Sequence, residues 1–145
     1  MSVLSTSAHH RHLLIRPLLP NWSFKAGYDT IPPMNNFHDQ KLWQDAFVVL
    51  MEVHDTFDDM REGENEEIVE DVIRSATEVA AKIADGLSRA DRRFGRQVLL
   101  DAIGMVAMVR THLAVSWGRG LVTDELFKSM DDKYASLTEN LQRAR

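Results

Sequence analysis

Val69-Glu70-Asp71-Val72-Ile73-Arg74-Ser75-Ala76-Thr77-Glu78-Val79-Ala80-Ala81-Lys82-Ile83 carries its apolar seam at Val69, Val72, Ala76, Val79 and Ile83, in steps of three, four, three and four residues. That spacing keeps one face of an α-helix apolar and packs it against other helices. The same period recurs on both sides. Before it stand Trp43, Ala46, Leu50, Val53, Phe57 and Met60; after it come Leu99, Ala102, Val106, Val109 and Leu113, then Phe127, Met130, Tyr134, Leu137 and Leu141. Four segments of one period predict an all-α, antiparallel up-down four-helix bundle over residues 37–145.

The breaks between segments are chemically consistent with helix ends. Gly63 and Asn65 separate the first two, with Asn65 read as the N-cap ahead of Glu66 and Glu67. Gly86 is read as the end of the second helix and Asp91 as the cap of the third. Gly118 and Gly120 close the third, and Thr123 caps the fourth ahead of Asp124 and Glu125. Helices of about 20 residues, about 30 Å long, joined by such short turns must run antiparallel.

Residues 1–36 differ from this. They hold all four prolines, Pro17, Pro20, Pro32 and Pro33, together with His9, His10 and His12, and show no sustained period. Proline removes a backbone donor and restricts its predecessor, so this stretch is expected to form an irregular or disordered arm. Met34 directly precedes the periodic region, which raises the expectation that the arm is a misassigned start.

The chain has 145 residues, enough for one domain that buries its own core without staples. Cysteine is absent, which excludes disulfides and thiolate metal sites and fits a reducing, cytoplasmic setting. No uninterrupted apolar run approaches the ~20 residues of a membrane span. The net charge of -5, from 17 basic and 22 acidic residues, does not describe a polycation.

Charge is nevertheless unevenly placed. Residues 38–71 contain 12 acids and two bases, whereas residues 72–120 contain eight bases and four acids. Arg89, Arg92, Arg93 and Arg96 cluster around the second turn, with Arg74 and Lys82 on the helix before it. The acidic first turn and the basic second turn belong to opposite ends of an antiparallel bundle. Guanidinium groups pair bidentately with phosphate and keep their charge, so these six residues are the candidate nucleic-acid contacts. The plainer reading is a solvated helix start, ion-paired with Asp85 and Asp91 or with acids of a neighbouring subunit.

Helix one carries more apolar surface than one seam needs. Phe47, Val48 and Met51 fall in the unbroken apolar run from Ala46 to Met51 and are the candidate oligomer interface. Cover by neighbouring side chains or by the arm is the alternative. Gly104 in mid-helix is costly by ~1 kcal/mol relative to alanine, and close helix approach is the expected reason.

No catalytic constellation is read from the sequence. There is no Glu-x-x-His of a di-iron bundle, no Gly-x-Ser-x-Gly elbow for Ser75 or Ser88, and no phosphate-cradling glycine loop. His54 and His112 fall beside the seams as boundary residues. The expectation is a binding protein without catalysis, metal or cofactor.

Three stretches carry a family resemblance over about residues 37–141. Phe37 through Ala46, with Leu42-Trp43-Gln44, is similar to an opening F-x-x-L-x-V-W-Q-K-A. Arg74-Ser75-Ala76 with Ile83-Ala84-Asp85-Gly86 and Arg89 resembles R-x-A-x-S-I-P-x-N-I-A-E-G-x-x-R. Ala102-Ile103-Gly104 and the helix ending near Gly118–Val122 resemble A-x-G-S and L-G-x-I. These belong to the bacterial four-helix bundle family of 23S rRNA intervening-sequence proteins, with the accessory proteins of diversity-generating retroelements as distant relatives. Ala80, Lys82 and Asp85 stand where that pattern has proline, asparagine and glutamate. Asp91 replaces a capping serine, and Phe94-Gly95 replaces a Glu-Phe pair. The resemblance implies a homo-oligomer, as a pentameric ring, engaging RNA or a reverse transcriptase. A protein–protein adaptor without nucleic-acid binding is the alternative.

Overall fold

The computed structural model describes residues 36–144, and the expectations for the arm and its histidines lie outside that range. Four helices follow one another: α1 Lys41–Phe57, α2 Glu66–Ser88, α3 Arg92–Gly118 and α4 Asp124–Arg143. Short 3-10 turns, Phe37–Asp39 and Asp58–Met60, flank α1. Among the described residues there is no strand. α2 packs most extensively on α3, and α1 and α4 close the square. The predicted all-α four-helix bundle is the observed fold.

The core is the set of predicted seams. Val69, Val72, Ala76, Val79 and Ile83 of α2 are buried, as are Leu99, Ala102, Val106, Val109 and Leu113 of α3. Ala46, Leu50, Val53 and Phe57 of α1, and Met130, Tyr134, Leu137 and Leu141 of α4, complete it. Trp43, Met60 and Phe127 are half-buried at the margins, and Val49 joins the core of α1. Burying a side chain of this size stabilises by roughly 1.5–3 kcal/mol, so these four stripes supply the main force that holds the helices together.

Two caps behave as predicted. The Arg93 and Phe94 amides donate to the Asp91 carboxylate (3.0 and 3.3 Å), and the Leu126 amide donates to Thr123 Oγ1 (3.2 Å). At the end of α3, Gly120 takes a φ of 76°. Its amide donates to the Trp117 carbonyl, while that of Leu121 donates to the Ser116 carbonyl, both at 2.9 Å. This is the Schellman arrangement, which only a residue free of a Cβ enters without strain.

Three expectations need correction. Asn65 stands at the N-cap of α2, but its side chain makes no capping hydrogen bond. Gly86 does not end α2, which runs on to Ser88 with Gly86 buried inside it. A Cβ on Gly86 would lie 2.7 Å from Leu99 Cδ2, and one on Gly95 would lie 2.6 Å from the Gly86 carbonyl oxygen. The close approach of α2 and α3 is therefore made by this glycine pair. Gly104, expected to serve that purpose, is exposed and faces open space.

Candidate nucleic-acid interface

The Gly86–Gly95 crossing fixes where the second turn sits, because backbone rests directly on backbone there. Only Arg89, Ala90 and Asp91 connect α2 to α3. With the first turn of α3 pinned from below by Gly95 and capped by Asp91, the remaining residues of that turn must point outward. Arg92, Arg93, Phe94 and Arg96 are all exposed.

The six candidate cations have different surroundings. Arg89 Nε donates to Asp85 Oδ1 at 2.7 Å. The hydrogen bond to Arg89 holds the Asp85 carboxyl below the usual carboxylate range, with the charges of Arg89 and Lys82 adding to it. Arg92, Arg93 and Arg96 make no ion pair among the described residues. Asp91, expected as one of their partners, gives its carboxylate to the backbone cap instead. Lys82 lies two turns before Arg89, close enough to act on Asp85. Arg74 does not join the group. It sits about 21 Å up the helix from Ser88 and is ion-paired with Asp71.

Several cations elsewhere are matched, although Arg119 and Arg143 also make no ion pair among the described residues. Arg61 holds Glu70 through Nε (2.8 Å) and Nη2 (3.3 Å) at the acidic end. Arg110 of α3 makes a two-point pair with Asp131 of α4, at 2.8 and 3.0 Å. That hydrogen bond raises the guanidinium pKa above its ordinary value. Lys133 and Ser129 of α4 both donate to Glu52 of α1, Ser129 at 2.7 Å. Nothing in the sequence spacing signals this last cluster, because its members are far apart in the chain.

The interface candidates on α1 are also separated by the structure. Phe47 stacks on Trp43 with ring centroids 4.9 Å apart, and Phe47 and Met51 both pack against the core. Val48 is exposed and lines a groove of about 390 Å³ between α1 and α4, with Leu137 at its floor. More apolar surface lies open on α3, where Phe94, Met108, Val115 and Trp117 are exposed. By length and composition alone α3 is apolar enough to cross a membrane, a test that the core helix of a bundle also passes. Sequence reading overlooked this because it counted one seam per helix, whereas α3 is apolar around much of its circumference.

Ser75 is buried and donates to the Asp71 and Val72 carbonyls, which is ordinary helix back-bonding. His54 Nδ1 lies 3.0 Å from Asp58 Oδ1, one helical turn further on. Among the described residues, no three His, Asp or Glu side chains converge as a metal-ligand set.

No curated protein and no solved structure matches the chain. A family model does match, that of the 23S rRNA-intervening sequence protein, over residues 38–143. The match spans all four helices and the three connections between them, and the chain belongs to the family of 23S rRNA-intervening sequence proteins.

Proposed function

We propose that this protein works by binding, without catalysis, and that it engages the phosphate backbone of a nucleic acid through the arginine-rich end of the bundle. One observation carries this: Arg92, Arg93 and Arg96 stand exposed on a single helical turn with no ion pair among the described residues. Cations at a helix N-terminus oppose the macrodipole, so their placement gains nothing for the helix itself. Phosphate would supply the missing counter-charge, with geometry that suits guanidinium. The family's name associates its members with 23S rRNA, which makes RNA the first substrate to test.

The same reading takes the molecule as a homo-oligomer. Its support is the apolar surface left open on α3 by Met108 and Val115, and on α1 by Val48. A ring of five copies would repeat the arginine patch around one rim. This surface also supports the adaptor reading, in which the partner is another protein and binding resists salt.

Fluorescence anisotropy with a labelled structured RNA tests the proposal. Replacing Arg92, Arg93 and Arg96 together by alanine should weaken binding on the order of a hundred-fold, at about 1 kcal/mol per lost charged contact. The slope of log K against log salt should fall by about 2 to 3, one counterion per lost phosphate contact. Unchanged affinity and slope, with helicity intact, would sink the proposal. Light scattering on a Met108→Asp, Val48→Asp variant tests assembly, which should dissociate.

A further inference from the structure

Phe94 is the unexplained member of the arginine turn. It is 52% exposed, a large apolar ring left in water among Arg89, Arg92, Arg93 and Arg96. The inward position beside it is Gly95, which lies so close to α2 that a Cβ there would stand 2.6 Å from the Gly86 carbonyl oxygen, and the space beneath Phe94 is thus taken by backbone. Its amide is held by the Asp91 cap at 3.3 Å. One face of the ring is also taken. The Arg89 guanidinium carbon lies 5.0 Å from the ring centroid, and Asp85 anchors that guanidinium through Nε at 2.7 Å. Asp85, Arg89 and Phe94 thus form an ordered stack with its outer aromatic face open to solvent.

Trp117, the other exposed large aromatic among the described residues, differs in each respect. It stacks on Phe127 with centroids 5.1 Å apart and donates its indole N–H to Asp124 at 2.7 Å, at the acidic end of the molecule. Of the two, only Phe94 combines an open ring with unpaired cations beside it.

An aromatic face beside arginines is the arrangement that holds an unpaired base while its phosphates are neutralised. In a duplex the bases are stacked on each other and out of reach, so the ring contributes nothing there. We propose that Arg89 and Phe94 form a stacking platform for an unpaired nucleotide base, so that the arginine turn prefers single-stranded over duplex nucleic acid. The proposal rests on the phosphate-binding reading given above and adds the strand form. Arg89, whose charge is matched by Asp85, orders the ring; Arg92, Arg93 and Arg96 take the phosphates.

The test is anisotropy of a short fluorescein-labelled oligoadenylate, alone and paired with its complement, against the full chain. Phe94→Ala should lower affinity for the single strand roughly ten-fold, the ordinary loss for one stacked base, and leave the duplex unchanged. Phe94→Trp should restore the single-strand affinity, which a merely structural role for the phenyl ring would not predict; circular dichroism of both variants checks the fold. If Phe94→Ala leaves single-strand binding unchanged, or weakens strand and duplex alike, the platform is wrong. The Arg92, Arg93, Arg96 triple alanine variant separates the two levels. Loss of both ligands in that variant, with Phe94→Ala silent, keeps the phosphate reading and discards the platform. Equal binding of both ligands by wild type and triple variant discards both.

Discussion

At the acidic end of the bundle, Arg61 is held by Glu70 and Asp58, and Gly63 turns the chain at a φ of 124° with open space around it. At the basic end the relation is reversed. Gly95 sits on the Gly86 carbonyl with no room for a methyl group, and above that contact three arginines have no carboxylate partner among the described residues. One turn is loosely supported and its one arginine is ion-paired; the other is tightly supported and three of its arginines have no carboxylate partner among the described residues. Close packing beneath a surface keeps its side chains in place while they wait for a ligand. The basic turn has that support beneath its unpaired arginines, and the acidic turn has open space around its glycine instead.

Breaking the support should have the largest effect on stability. Gly95→Ala forces a methyl group against a backbone oxygen, which neither helix can move alone, and should destabilise by about 3 kcal/mol. Gly86→Ala meets Leu99 Cδ2 and Cγ at 2.7 and 2.8 Å, with the Gly95 carbonyl oxygen at 3.1 Å; a side chain yields more readily than backbone, so this substitution should cost less. Urea unfolding measures both. Equal, small losses would mean that the crossing is looser than the glycine pair requires, and the contrast between the ends would fail. The converse substitution lies on α3: Gly104→Ala adds a methyl group in open space and should stabilise by about 1 kcal/mol through helix propensity.

These three glycines show how much is legible in the sequence. Gly86 follows Ile83 by three and Gly95 precedes Leu99 by four, so both continue the apolar seams. Gly104 falls between the seam positions Ala102 and Val106 and is out of phase with both. Phase therefore distinguishes a packing glycine from an exposed one, but all three look alike when read as helix breakers or close-approach sites. The seams and the Asp91 and Thr123 caps are legible because their signals are local. Which arginines lack partners is not, since pairing depends on side-chain placement that spacing alone does not fix. Arg74 counts with the cluster by sequence, yet the length of α2 carries it away and Asp71 pairs with it. Phe94, off the seam set by Leu99 and Ala102, could have been read as exposed; that Arg89 covers one of its faces could not.

A smaller contrast separates matched from unmatched cations. Arg110→Ala removes a two-point pair that joins α3 to α4, and because the guanidinium is 40% exposed its loss should cost no more than about 1 kcal/mol. Arg93→Ala should leave stability within about 0.5 kcal/mol. Thermal melts of the two variants check this. A loss at Arg93 equal to that at Arg110 would show that Arg93 has a structural partner and is not held free for a ligand.

The last difference concerns a buried group rather than an exposed one. Tyr134 is fully buried in α4, and its hydroxyl has no hydrogen-bond partner among the described residues. Burial, and then the charge of Glu52, pushes its pKa well above the ordinary value of 10.0. An unpartnered hydroxyl in the core costs desolvation and returns nothing, so Tyr134→Phe should be neutral or stabilising by less than about 1 kcal/mol near neutral pH. The effect should grow with alkali. Unfolded tyrosine loses its proton from about pH 10, while the folded side chain holds it to higher pH, so the native state binds more protons in that window. Its contribution to stability is complete below the unfolded pKa and is lost as pH rises from there through the folded value. Phenylalanine has no proton to lose, and the gap between the two melting temperatures should widen above about pH 10. A Tyr134→Phe protein less stable than wild type at neutral pH would mean that the hydroxyl makes a stabilising hydrogen bond after all.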